Sequence, residues 1–138
     1  MDRNYLDINY SYPNEKWIEC KDFLDYMVSD FGRVMSLPKT VKQPNGGYKT
    51  TKRKIIKPSI TDKGYYHVRL YKNGKQINWR LHRLVYSSFI GEIGELEINH
   101  KDCVKSNNSL YNLETCTRQE NMDHAVRNGR LKRNIVKP

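Results

Sequence analysis

The sequence predicts an α+β protein, a small N-terminal antiparallel β-sheet platform followed by a strand–loop–strand–helix unit. Three observations carry this. Lys72-Asn73-Gly74 sits between two alternating runs, Gly64–Tyr71 and Lys75–Leu81, and Asn-Gly suits a tight hairpin because both turn positions need positive φ. Leu81, Leu84, Val85 and Phe89 fall on one face of a short helix. Thr117-Arg118-Gln119-Glu120 fits a capping box, in which the Thr hydroxyl and Glu carboxylate each accept the other residue's backbone N–H.

Taken in order, Met1–Asn14 is polar and tyrosine-rich, without clear periodicity, and reads as an arm. Tyr26-Met27-Val28 reads as a short strand, Ser29-Asp30-Phe31-Gly32 as a turn, and Arg33–Leu37 as a second strand. Pro38–Lys54 reads as a basic loop, and Ile55-Ile56 returns to a strand. The hairpin follows, then a helix over His82–Phe89 ended by Gly91. Glu95–His100 alternates as a brief strand, Lys101–Asn112 is a polar loop, and Leu113–Cys116 is another strand. The last helix starts after Thr117, and Gly129 stands where a left-handed C-cap residue belongs.

At 138 residues the chain holds one compact domain, or two small units sharing a core. Lys and Arg number 25 against 15 acidic residues, a formal charge of +10. Such self-repulsion in a short chain points to a polyanionic partner, nucleic acid before membrane, because no apolar stretch approaches a membrane span. Three cysteines, Cys20, Cys103 and Cys116, are odd in number and form no CxxC pair. They argue against a disulfide framework and a four-ligand zinc site. The N-terminus lacks a signal pattern, so a cytoplasmic setting with reduced thiols is expected.

The chemistry concentrates between Leu96 and Gly129. Asn99-His100 ends one strand, and Asn121 opens the last helix, sharing a face with His124, Ala125 and Asn128. The segment LEINHKDCVKSNNSLYNLETCTRQENMDHA resembles the module of HNH homing endonucleases, which runs roughly N/D-H-x-D, then N-x-x-x-N-L-E, then N-x-x-H. Upstream, EKWIECKDFLDYMVSDFGRVMSL resembles the NUMOD4-like domain often joined to it. GYYHVRLYKNGKQINWRLHRLVYSSFIG is similar to the usual junction. The three fragments occur in the family's order, from about Trp17 to Ala125.

The resemblance implies an N-terminal arm (1–16), a NUMOD4-like β-rich DNA-binding region (17–80), a ββα-metal (HNH) nuclease module (81–129) and a basic tail (130–138). It implies a phosphodiester hydrolase with His100, Asn112 and Asn121 as the catalytic set. His100 would be the general base, since a neutral imidazole accepts a proton near neutral pH. Asn99 and Asn121 would hold one Mg²⁺ or Mn²⁺ through side-chain oxygens. Asn112 would hydrogen-bond backbone and pin the loop. Three positions depart from the pattern; one is Asn121, which stands where other members have His, and it fits the asparagine-ended branch and argues against a zinc-like His pair. Asn99 stands where Asp is frequent, which implies a greater metal demand, and Cys103 stands where many relatives have Gly.

Double-stranded DNA is the expected partner. Lys49, Lys52, Arg53, Lys54 and Lys57 in the basic loop are candidates for phosphate contact, which positions a duplex without reading it. Arg69, Lys72, Lys75 and Arg80 lie on the hairpin, and Arg127 and Arg130 extend the positive surface with Lys132, Arg133 and Lys137. His82 is read as structural, packing between sheet and nuclease module. His124 is read as hydrogen-bonding the loop, and Cys103 and Cys116 as unpaired thiols. Trp79 and the tyrosines suit sheet core or base stacking. The rival readings are a non-catalytic DNA-binding protein that keeps the HNH scaffold and, more distantly, a basic RNA-associated structural protein. Whether the chain acts as monomer or homodimer, and whether it nicks or breaks a duplex, stays open. Small proteins of this type are typical of phage genomes.

Overall fold

The computed structural model describes residues 11–127. Most of the predicted arm, the C-cap Gly129 and the tail with Arg130 lie outside the described residues.

Strands β1 (Trp17–Cys20), β2 (Phe23–Ser29) and β3 (Val34–Ser36) pair antiparallel in succession. β4 (Thr40–Lys42) and β5 (Tyr48–Thr50) form a separate hairpin, and β6 (Lys54–Ile56) returns to the free edge of β3. The first sheet therefore has the order β1-β2-β3-β6. β7 (Ser59–Ile60), β8 (Tyr66–Lys72) and β9 (Lys75–Arg80) make a second sheet. Asn73 and Gly74 both have positive φ, 54° and 76°, as the hairpin turn requires.

Two expectations need correction. Residues 38–54 are not a plain loop, because β4 and β5 pair within them. Nearly every residue of that hairpin is exposed, so no apolar alternation marks it in the sequence. The N-terminal half is also not one sheet. The β8–β9 hairpin packs across a shared core instead of extending the first sheet.

Helix α1 (Leu81–Phe89) sits at the centre. Its Leu81, Leu84 and Val85 meet Phe23, Tyr26 and Val28 of β2, Val68 and Leu70 of β8, and Ile98 and Leu113 of the C-terminal unit. Trp17, Met27 and Met35 form a smaller cluster with Leu37 and Ile55. The C-terminal unit comprises β10 (Glu97–His100), a single 3₁₀ turn at Leu110–Asn112, β11 (Leu113–Cys116) and α2 (Arg118–Arg127). Its capping box is formed, with the Glu120 N–H donating to Thr117 Oγ1 at 3.1 Å and the Thr117 N–H to Glu120 Oε1 at 2.8 Å. Among the described residues no helix is long and apolar enough to cross a membrane.

The turn after β2 locks the two halves together. The Leu110 N–H donates to the Asp30 carbonyl at 2.8 Å, and the Tyr111 hydroxyl to Asp30 Oδ2 at 3.0 Å. Gly32, at φ 85°, passes so close that a Cβ there would lie 2.7 Å from the backbone of Asn108. Gly32→Ala should therefore combine left-handed strain with a backbone clash and lower the unfolding free energy by about 2 kcal/mol or more. Urea unfolding of the two proteins checks this, and equal midpoints would show that the turn tolerates a side chain.

Candidate active site

β10 and β11 pair in the register Glu97↔Cys116, Ile98↔Thr115, Asn99↔Glu114 and His100↔Leu113. Side chains alternate along a strand, so Glu97, Asn99 and Glu114 share one face while Ile98, His100 and Leu113 share the other. His100 thus turns inward beside the core, with 3% of its surface exposed.

The loop after His100 is held by amides in place of apolar packing. Asn108 Nδ2 donates to the carbonyl of Lys105 at 3.2 Å, which leaves its Oδ1 facing His100 Nε2 at 2.9 Å. An amide oxygen only accepts, so Nε2 carries the imidazole proton and Nδ1 holds the lone pair. Asn112 ties the loop from its other end. Its Oδ1 accepts the Asp102 N–H at 3.1 Å, and its Nδ2 donates to the Asn107 carbonyl at 2.8 Å and to Asp102 Oδ1 at 2.9 Å. A hydrogen bond from Asn107 Nδ2 to Asp102 Oδ2 at 2.8 Å, joined by those from the Val104 N–H and Asn112, holds the Asp102 carboxyl below the usual carboxylate range. Cys103, at φ 64°, keeps the left-handed turn that glycine would make cheaply. Its Sγ lies 3.2 Å from His124 Nε2, so His124 meets the loop from α2.

The two candidate ligand amides reach the other face. Asn99 Nδ2 donates to Glu114 Oε1 at 3.1 Å across the hairpin. Asn121, from the first turn of α2, donates its Nδ2 to Glu97 Oε1 at 2.8 Å. Asn99 and Asn121 therefore approach one face of β10, and His100 approaches its end from the opposite face. The oxygens Oδ1 of Asn99 and Asn121 are hard donors suited to Mg²⁺ or Mn²⁺. No group of three or more His, Cys, Asp or Glu able to hold a metal occurs among the described residues.

A family model described as the NUMOD4 motif matches residues 15–71, and one described as HNH endonuclease matches residues 80–123. The chain belongs to the HNH endonuclease family. It is 30% identical to the DNA endonuclease I-HmuI of Bacillus phage SP01 over 118 residues, which cover 84% of this chain and 60% of that protein. It is 31% identical to the H-N-H endonuclease F-TflII of Escherichia phage T5 over 109 residues, 77% of this chain and 48% of that protein. A solved structure of DNA binding and cleavage by the HNH homing endonuclease I-HmuI matches with a TM-score of 0.67 at 31% identity, covering 85% of this chain and 61% of that one. The chain thus spans less than two thirds of the length of the relatives it matches. The likeness bears out the α+β architecture, with N-terminal antiparallel sheets before the ββα unit. HNH nucleases use a divalent metal.

In the HNH module a cleft of about 440 Å³ runs over the free edge of β10, lined by Arg80, His82, Arg83, Glu97, Ile98 and Asn121. A neighbouring cleft adds Lys63, Lys105 and Arg118 around Asn121. Arg80 and Lys105 also sit against the ring of Tyr65, 4.7 and 4.3 Å from its centroid. Of the predicted basic residues that are among the described residues, Arg80 alone lines these clefts. Lys49, Lys52, Arg53 and Lys54 line a separate groove of about 670 Å³ between the β4–β5 hairpin and the first sheet. Lys57, Arg69, Lys72, Lys75 and Arg127 are exposed away from both. Sequence reasoning missed Glu97, Asn108, Glu114, Lys63, Arg83, Lys105 and Arg118. Asn108 was visible only as one amide among several, and Arg83 only as part of the Leu-His-Arg-Leu run. Trp79 packs edge-on against Phe23, which makes it core.

His82 is buried at the cleft floor, its ring 5.7 Å from Tyr65 and 5.1 Å from His100. Burial first, then the neighbouring charges of His100, Arg80 and Arg83, push its imidazole down from 6.5 to about 3. The packing role read from the sequence fits this neutral, stacked ring. The unfolded chain protonates this residue below pH about 6.5 and the folded one only near pH 3, so stability is lost as pH falls through that window. From pH 7 to pH 5 the loss from this residue should be about 2 kcal/mol. His82→Leu should shrink the difference between urea unfolding free energies at the two pH values by about that amount. An unchanged difference would assign the acid sensitivity elsewhere.

Proposed function

We propose that this protein is a metal-dependent DNA endonuclease that hydrolyses one phosphodiester bond per active site. The observation that carries this is the His100–Asn108 pair at the end of β10, with the His100 ring 5.1 Å from that of His82 in a basic cleft that Asn121 lines. Asn108 directs the protonated Nε2 inward, so Nδ1 of His100 takes the proton from the attacking water. Asn99 and Asn121 hold one Mg²⁺ or Mn²⁺ through their Oδ1 atoms, and their oxygen chemistry fits such a hard ion. When bound, the ion supplies positive charge to the phosphate and to the departing 3′ oxygen. Asn112 keeps the loop closed so that His100 holds its position. Arg80, Arg83, Lys63 and Lys105 offset phosphate charge along the clefts.

The substrate is double-stranded DNA. Support comes from the +10 charge and the basic groove at Lys49, Lys52, Arg53 and Lys54, joined by Lys57, Arg69, Lys72, Lys75 and Arg127 on exposed surface. One site cuts one strand, so a single chain nicks and a double-strand break takes two chains or two successive nicks. The 1–16, 17–80, 81–129 and 130–138 division serves this reading: the platform grips the duplex and the ββα unit cuts it.

Supercoiled plasmid with Mg²⁺ or Mn²⁺ tests the activity. Wild type should convert it to nicked circles, EDTA should abolish this, and His100→Ala should lower the rate by roughly 10²- to 10⁴-fold. Equal nicking by the variant would sink the role of His100. DNA binding without cutting by either protein, on plasmid and on libraries of random duplex, would favour a non-catalytic binder. Lys49→Ala with Lys52→Ala should weaken binding at all sequences alike and lower the slope of log K against log salt by about 2 in magnitude. An unchanged slope would remove the groove from the DNA path.

A further inference from the structure

Both candidate ligand asparagines share one feature. Each gives its amide nitrogen to a glutamate carboxylate, Asn99 to Glu114 at 3.1 Å and Asn121 to Glu97 at 2.8 Å. A carboxylate only accepts hydrogen bonds, so the atom facing it is the NH₂ group, and the orientation of each amide is settled by chemistry. Each Oδ1 is thereby turned away from its carboxylate. Among the described residues neither Oδ1 accepts a hydrogen bond. Asn99 is almost wholly buried, so its amide has little freedom to rotate.

We propose that Glu97 and Glu114 are positioning residues for the divalent ion, each clamping a ligand amide with its carbonyl oxygen outward. This rests on the reading of Asn99 and Asn121 as ligands. The clamp does two things. It removes the competing orientation in which NH₂ would face a cation. It also polarises the amide, since a charge-assisted hydrogen bond at nitrogen raises the negative charge on oxygen. The second effect bears on the departure at position 99, where a neutral amide stands in place of the carboxylate frequent in the family. Glu114 returns a negative charge one side chain further out. The arrangement is repeated on two elements, β11 to β10 and β10 to α2, so that one hairpin face carries both carboxylates. In a chain with a +10 charge, two acidic groups placed behind the only two amides proposed as ligands make local electrostatics favourable to a cation.

Mn²⁺ binding to the full chain, read by loss of the free-ion EPR signal in the presence of a non-specific duplex, tests this in a His100→Ala background that prevents cutting. Asn121→Ala should weaken binding at least as much as Glu97→Gln or Glu114→Gln does, leaving a residual affinity that higher Mn²⁺ concentrations still titrate. Glu97→Gln and Glu114→Gln should each raise the Mn²⁺ dissociation constant by roughly 10-fold or more, with thermal midpoint and DNA affinity in EDTA unchanged. Glu97→Asp should recover part of the loss. In the Asn121→Ala background, Glu97→Gln should add nothing. If Asn121→Ala weakens binding while both glutamine variants bind normally, the clamp is refuted and the ligand reading survives. If Glu97→Gln weakens binding further without Asn121, Glu97 is itself a ligand and the positioning role falls. If Asn121→Ala binds as the parent does, the ligand reading fails, and the clamp with it.

Discussion

The hydrogen bond between Asn108 Oδ1 and His100 Nε2 is the constraint on which the site depends. An imidazole at a strand end has two tautomers and a free χ2. Here an amide that is itself held by the Lys105 carbonyl selects one tautomer and one ring orientation. The bond lies in a buried position, where losing a partner costs more than it does in water. The protein must therefore hold a polar loop of low apolar content rigidly enough for a single amide to keep its place. It does so with a web of side-chain amides and one carboxylate, Asn107, Asn112 and Asp102, whose bonds reach both backbone and side chain.

That web stands on the N-terminal platform. The Ser29–Gly32 turn carries the Asp30 carboxylate and carbonyl to the 3₁₀ turn, and Gly32 lets the two backbones touch beside Asn108. The N-terminal platform is thus the scaffold against which the loop after His100 is folded. The two halves share one core through α1, so neither has an independent hydrophobic interior of useful size. His82 occupies this junction as a neutral ring, stacked where the platform, the helix and β10 meet.

Charge is divided with similar economy. Cations line the clefts and the outer groove, and Glu97 lines the same clefts beside Asn121, while Glu114 holds Asn99 across the hairpin. A uniformly positive site would repel a divalent ion, and a uniformly acidic one would repel DNA. His100 and Asn99 lie on opposite faces of β10, and Glu97 meets the cleft cations at its edge.

The local patterns were legible in the chain itself. Asn73-Gly74 specified a hairpin, Thr117 and Glu120 specified a helix start, and the apolar spacing of α1 specified its buried face, because each depends on interactions within a few residues. The family's motifs marked His100, Asn112 and Asn121, again through short spacings. What the sequence left undetermined were features set by partners far along the chain. The β4–β5 hairpin has no buried face and so no periodicity to betray it. Glu97 and Glu114 are ordinary exposed-looking acids until strand pairing and helix docking bring each against an asparagine. Asn108 is one amide among many until the loop closes on His100. Short-range geometry is written in neighbouring residues, whereas the aim of the His100 ring is decided by which distant backbone it is packed against, and only the tertiary structure decides that.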